Sequence, residues 1–132
     1  MQSMQISKPA FSFALMTILK KNELARDYCD VQGIQLIDKF LEGPCVEQQS
    51  YSPQVCYNII CSLWILSYHP FAQKYFEDYS LSLIEKATKV LDFYSWEKIA
   101  RILLQLYMNV KENQICQEHL ADIDAFNLII KL

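Results

Sequence analysis

A chain of 132 residues that is 52% hydrophobic and 20% charged is long enough to close one modest core and too apolar for the disordered class. Two glycines and four prolines are too few for a β protein punctuated by many tight turns, so the expected fold class is all-α. A net charge of -3 with no run of Lys or Arg excludes a surface that tracks a phosphate backbone, and no nucleic-acid partner is expected.

The opening MQSMQISKPAFSF has neither an arginine-rich amphipathic stretch nor a basic segment followed by an apolar one, so it does not read as a targeting peptide and a cytosolic chain is expected. Pro9 suits a first helical turn, and Phe11, Ala14, Leu15, Ile18 and Leu19 recur at helical spacing over 9–20. A short amphipathic piece from Glu23 to Val31 ends near Gly33. Ile34, Ile37, Phe40 and Leu41 carry the next helix, for which Gly43 and Pro44 are the expected stop.

Ser52 can cap a helix with Pro53 in its first turn, running through Val55, Ile59, Ile60, Leu63, Trp64 and Leu66 and apolar nearly all round. Gln48 to Gln73 holds no charged residue, but Ser52, Pro53, Asn58 and Pro70 leave only Val55 to Tyr68 as an apolar helix. That is too short for a bilayer core, which needs about 20 residues, and no membrane insertion is expected. Pro70 predicts a short helix to about Asp78, followed by a separate one carrying Leu81, Leu83, Ile84, Ala87, Val90 and Leu91. Ser82 and Glu85 match a capping box for it, with a start nearer Ser80 equally compatible.

Ser95 is the expected cap of the longest helix, in which Trp96, Ile99, Leu103, Leu106, Tyr107 and Val110 form the apolar face and Glu97 pairs with Arg101 at i,i+4. A short helix from Gln114 to Leu120 and the start of another from Asp124 to Leu132 close the chain.

The order of elements repeats. A shift of 47 places (72 minus 25) sets Ala25 on Ala72, Tyr28 on Tyr75 and Gly33 on Ser80, and lays QLIDK (Gln35 to Lys39) over SLIEK (Ser82 to Lys86). A weaker copy follows at 45 places (128 minus 83), with Leu128 and Ile129 under Leu83 and Ile84. Such a period predicts an armadillo/HEAT-like right-handed solenoid: one domain with units at 22–68 and 70–111, a partial unit at 112–132, and helix 9–20 from a preceding unit. The chain then reads as an internal piece of a longer array, with Phe126, Leu128, Ile129, Ile130 and Leu132 expected to be exposed.

Little points to catalysis. His69 lies at a Tyr-His-Pro junction and His119 in what reads as the exposed part of a short helix. Neither stands beside a recognisable nucleophile motif, and no phosphate-binding loop, zinc-protease or dinucleotide motif occurs. Cys29, Cys45, Cys56, Cys61 and Cys116 form no CxxC pair and read as reduced core thiols, so no metal and no cofactor is expected. Trp64, Tyr68, Trp96 and Tyr107 either pack in the core, the expectation for most of them and for Trp64 in particular, or line a peptide groove. Asn109 has two open readings: a side chain that hydrogen-bonds an extended peptide backbone on the third helix of an armadillo unit, or a helix-ending residue.

QVCYNIICSLWILSYHP, Gln54 to Pro70, resembles the signature of the H subunit of the vacuolar-type proton ATPase at Gln54, Tyr57, Trp64, Leu66, Tyr68 and Pro70. EKIARILLQLYMN, Glu97 to Asn109, is similar to a second block of that family that includes Glu97 and Arg101, and Ala14, Leu15, Thr17, Leu19, Glu23 and Gly33 resemble the preceding helix pair. The likeness spans about 11 to 112 and weakens beyond Glu112, and Cys61 and Ser62 stand where the family more often has Phe and Cys.

The resemblance implies a non-catalytic regulatory and structural subunit of the peripheral, ATP-hydrolysing sector, supporting coupled hydrolysis and proton transport. The nucleotide sites would lie on other subunits, and the implied partners are peripheral-stalk subunits E and G. The implied place is the cytosolic face of vacuolar or other acidic-organelle membranes. Silencing of the detached peripheral sector is a role of the family's C-terminal domain, which this stretch does not resemble. The competing expectation is an unrelated armadillo-type adaptor that binds linear peptides.

Overall fold

The computed structural model describes residues 8–46 and 52–130, with the side chains of 44–46, 128 and 130 left aside. The described residues form eight α-helices and no strand: α1 (Lys8–Ile18), α2 (Asn22–Asp30), α3 (Gly33–Val46), α4 (Pro53–Leu66), α5 (Gln73–Tyr94), α6 (Glu97–Val110), α7 (Gln114–Ile123) and α8 (Ala125–Ile130). A 3-10 turn, Pro70–Ala72, leads into α5.

Two layers result. Helices α1, α4, α6 and α8 pack side by side in that order, and α3, α5 and α7 form the layer against them. The first layer is built on a register of 44 residues (56 minus 12, 100 minus 56). Ser12, Leu15 and Leu19 on and just beyond α1 recur as Cys56, Ile59 and Leu63 on α4 and as Ala100, Leu103 and Tyr107 on α6, all buried. A second stripe, Val55, Asn58, Ser62 and Leu66 on α4, recurs as Ile99, Ile102, Leu106 and Val110 on α6, again all buried. The equivalent positions on α1, Phe11, Ala14 and Ile18, face solvent. A helix covered on two sides needs apolar groups nearly all round, and α4 has them.

Polar side chains tie α1, α4 and α6 together. Asn58 Nδ2 donates to Ser12 Oγ across 3.1 Å, and Ser12 Oγ donates to the Pro9 carbonyl. Gln54 Nε2 donates to Asn58 Oδ1, and Lys98 Nζ on α6 donates to Gln54 Oε1. The buried amide of Asn58 is thereby satisfied on both sides, which makes its burial tolerable.

Several sequence expectations hold. Ser52 accepts from the Val55 amide with Pro53 in the first turn of α4, and Arg101 pairs with Glu97 on the exposed side of α6.

Others are corrected. Helix α3 passes through Gly43 and Pro44 to Val46, because a proline near a helix end costs only one backbone hydrogen bond. The two helices expected on either side of Ser82 are one helix, α5: Phe76, Ser80, Leu83, Ile84 and Ala87 form an unbroken buried stripe with no Gly or Pro to interrupt it. Continuous packing against α3 and α7 outweighs the local capping signal. At 22 residues α5, not α6 with 14, is the longest helix. Ser95 does not cap α6. It ends α5 in the left-handed conformation (φ 49), and Trp96 occupies the N-cap position of α6 without a side-chain bond.

Ile129 is 9% exposed and Phe126 packs edge-on against Tyr107, so the expected apolar exposure at these two positions is wrong: α8 folds back onto α6. Leu128, Ile130 and Leu132 lie outside the described side chains.

Gly33 has a specific task. The Tyr28 ring lies across it, with the phenol donating to the Gly33 carbonyl at 2.8 Å, and a Cβ at position 33 would overlap that ring. Gly33→Ala is expected to lower stability by about 1–3 kcal/mol despite its better helix propensity, because the ring is held at both ends. Thermal melts of Gly33→Ala with and without Tyr28→Ala check this: the penalty should vanish when the ring is gone.

Candidate functional site

The side chains most often used as nucleophile or base at neutral pH are cysteine and histidine, and the described cysteines are buried while both histidines are held by neighbouring elements. Cys29, Cys56, Cys61 and Cys116 are buried in the core and form no disulfide. Burial, reinforced by Asp30 and opposed by Lys74, pushes Cys29 up to about 11, and burial likewise raises Cys116. These are protonated, inert thiols. Among the described residues no three His, Cys, Asp or Glu side chains cluster as metal ligands would.

Both histidines are structural. His69 Nε2 donates to the Leu19 carbonyl at 3.0 Å, its Nδ1 lies 3.2 Å from Asn22 Oδ1, and its ring stacks on Phe71. It locks the α1–α2 turn onto the end of α4. His119, expected in an exposed position, is half-buried, and its Nδ1 meets Ser80 Oγ on α5. Ser80 is 3% exposed, so no substrate reaches its hydroxyl. Nearby, residues of α4, α5, α6 and α7 line a cavity of about 20 Å³, Phe76, Ile84, Leu106 and Tyr107 among them. That is room for roughly one water.

What the structure does assemble is a surface. Helix α4, covered on two sides by α1 and α6 and from below by the second layer, shows solvent one lengthwise strip, Gln54, Tyr57, Trp64 and Ile65, which the exposed Tyr68 continues in the turn after the helix. Trp64 and Tyr68 meet edge to face at 5.4 Å, and Tyr57 meets Trp96 in the same way at 6.3 Å. Trp64 is half-buried and packs against the edge of the core, with its Nε1 covered and without an acceptor. The cost of truncating it is therefore set below the 3–5 kcal/mol of a fully buried Trp.

The residues singled out from sequence separate accordingly. Tyr57, Trp64 and Arg101 share the outer face of the α1–α4–α6 layer, whereas Leu66 is core. Gly33 sits under Tyr28, and Pro70 opens the 3-10 turn. Asn109 is the penultimate residue of α6 and donates through Nδ2 to Ser67 Oγ at 2.8 Å, so that amide group already joins α6 to the end of α4. Lys98 carries no signal in the sequence. Its ammonium lies 4.2 Å from the Tyr57 ring centre and 5.3 Å from that of Trp96, a contact between α4 and α6 that no local pattern announces.

The family model of the V-ATPase H subunit, N-terminal region, matches residues 10–132. The chain belongs to the V-ATPase H-subunit family. No curated protein and no solved structure matches it. The H-subunit match runs through α7 and α8, so the weakening expected beyond Glu112 is corrected, and an unrelated adaptor is set aside. As an H-subunit domain the chain partners other V-ATPase subunits. Among the described residues of this H-subunit domain, no helix is long and apolar enough to cross a membrane.

Proposed function

We propose that this chain acts as a non-catalytic structural and regulatory subunit of the peripheral sector of a vacuolar-type ATPase. It supports coupled ATP hydrolysis and proton transport by binding peripheral-stalk subunits E and G at the cytosolic face of acidic-organelle membranes. The family match over residues 10–132 carries this reading. The fold supports it: a two-layer helical stack that holds its two histidines and its described cysteines in contacts between helices and presents side chains such as Tyr57 and Arg101 on an outer surface is suited to binding.

The stack is read as an armadillo/HEAT solenoid with units at 22–68 and 70–111 and a partial unit from 112. The 44-residue burial register supports that division, with α5 serving as the fused equivalent of α2 and α3.

Mixing the purified chain with a co-purified E–G pair and resolving the products by size exclusion tests the partner assignment. A stable complex, with micromolar or tighter affinity by calorimetry, is the expected result. A folded chain that elutes apart from E–G at concentrations well above that range would overturn it.

A further inference from the structure

Helices α1, α4 and α6 share a 44-residue register (56 minus 12, 102 minus 58), and a shared register creates an ambiguity of pairing. The side that each helix turns to the next is Ser12, Leu15 and Leu19 for α1, Cys56, Ile59 and Leu63 for α4, and Ala100, Leu103 and Tyr107 for α6, all buried. Leu15, Ile59 and Leu103 are near-equal in volume, and Leu19 recurs as Leu63. Shape alone therefore discriminates weakly between a right and a wrong neighbour, because cores accept apolar exchanges of similar volume.

The receiving sides differ. On α4 that side carries Asn58 and Ser62, whereas the same positions on α6 are Ile102 and Leu106. Asn58 bonds Ser12 across the α1–α4 seam, and the register equivalents of that pair in the α4–α6 seam are Cys56 and Ile102. Asn58 is 5% exposed and Ser12 fully buried, so water does not stand in for either partner.

The hydrogen bonds also run one way. The Ser12 hydroxyl donates to the Pro9 carbonyl, which leaves its oxygen as an acceptor toward α4. Lys98 Nζ, which can only donate, bonds Gln54 Oε1, and Gln54 Nε2 donates to Asn58 Oδ1. That order turns Asn58 Nδ2 toward α1. Side chains of α4 and α6 thus aim one buried donor at one place, where an acceptor at the Ser12 register satisfies it. Facing a thiol such as that of Cys56 the donor would meet a weak acceptor, and facing a methyl such as that of Ala100 it would meet none. A buried donor left in that state is costly.

We infer that the Ser12–Asn58 pair is a recognition code within the layer: the α1-facing side of α4 accepts a helix with a hydroxyl at the Ser12 register and rejects helices that carry Cys56 or Ala100 there. It acts wherever equivalent stripes compete, within one folding chain and between chains that refold together. The apolar residues supply the stability of the seam and the polar pair supplies its uniqueness. Burial, register and hydrogen-bond direction carry this inference, and it does not rest on the function proposed above.

Ser12→Ala combined with Asn58→Leu tests it, since leucine keeps the branched outline of asparagine and alanine removes only the hydroxyl. Wild type and double variant are refolded from urea at high concentration, then compared by size exclusion with light scattering, thermal melts and amide NMR. Wild type is expected to give a single species with one set of α1 resonances. The double variant should melt at or above the wild-type temperature, yet raise the associated fraction at least about fivefold or show more than one set of α1 resonances. A double variant as uniform as wild type would overturn the code. So would a uniform double variant that melts well below wild type, which would make the pair a stabilising contact only, or a wild type that is itself mixed. Should the double variant fail to fold, Ser12→Ala alone decides: the orphaned Asn58 amide should speed hydrogen exchange of the α1 amides at least about tenfold while those of α6 hold. Unchanged exchange in α1 would overturn the assignment.

Discussion

Replacing Lys86 by methionine is expected to destabilise the fold by about 2–4 kcal/mol, near the lower part of the range for breaking a buried pair because the site's edge still touches water. Lys86 on α5 bonds the Asp38 carboxylate at 2.8 Å and the Asp38 carbonyl at 3.1 Å, and it pairs with Glu42 at 2.8 Å, all on α3. The Lys86 and Asp38 side chains are 16% and 12% exposed. Asp38 Oδ1 is already buried without a partner, so removal of the ammonium strands a whole carboxylate between two helices. The double variant Lys86→Met, Asp38→Leu should recover most of the loss, since two apolar groups of similar shape leave nothing unpaired. Urea melts of the three proteins check both statements.

The same network sets a pH dependence. Burial works to lower the Lys86 ammonium, but its bonds to Asp38 and Glu42 outweigh that and hold it above its ordinary 10.5. Its contribution is therefore complete below 10.5 and is lost as pH rises through the higher folded value. Glu42 is held below its ordinary 4.5 by the hydrogen bond from Lys86 and then by the charge of Lys86. Its contribution is present above 4.5 and fades as pH falls through the lower folded value. The stability gap between wild type and Lys86→Met should be flat between those limits and narrow at both ends.

Leu63→Ala is expected to cost about 3–5 kcal/mol, in the upper part of the range for a buried leucine. Leu63 is fully buried and stands on α4 at the register shared by Leu19 and Tyr107, where it borders the cavity of about 20 Å³. Its neighbours Phe76, Ile84, Leu106 and Tyr107 come from α5 and α6, and each is held by further contacts of its own helix. They cannot close together over the missing methyl groups, so the void persists. Phe93→Ala, at a residue 44% exposed on the last turn of α5, should change stability by less than about 1 kcal/mol. Melting of the two variants side by side separates a core role from a surface one. A Leu63→Ala loss no larger than that of Phe93→Ala would mean that the α4 core position is misplaced.

The amino-acid sequence by itself determined the helices whose signals are local. Apolar spacing on 9–20, Ser52 with Pro53, and Glu97 with Arg101 name α1, α4 and α6 because each signal acts within a turn or two of the chain. The Gln54 to Pro70 and Glu97 to Asn109 blocks were enough to name the family, whose match covers residues 10–132. The tertiary structure decided what depends on partners from other helices, some nineteen residues away and others more than forty (126 minus 107, 109 minus 67). Ser82 looked like a cap until the packing of α5 between α3 and α7 made an interrupted helix more costly than an uncapped serine. His119 looked exposed until α7 laid it on Ser80, and Ile129 looked exposed until α8 turned back onto α6. Lys98 had no visible role until α6 brought it over Tyr57. A local pattern records which face of a helix is apolar, but it does not record which helix arrives to cover that face, and burial and pairing are properties of the arrival.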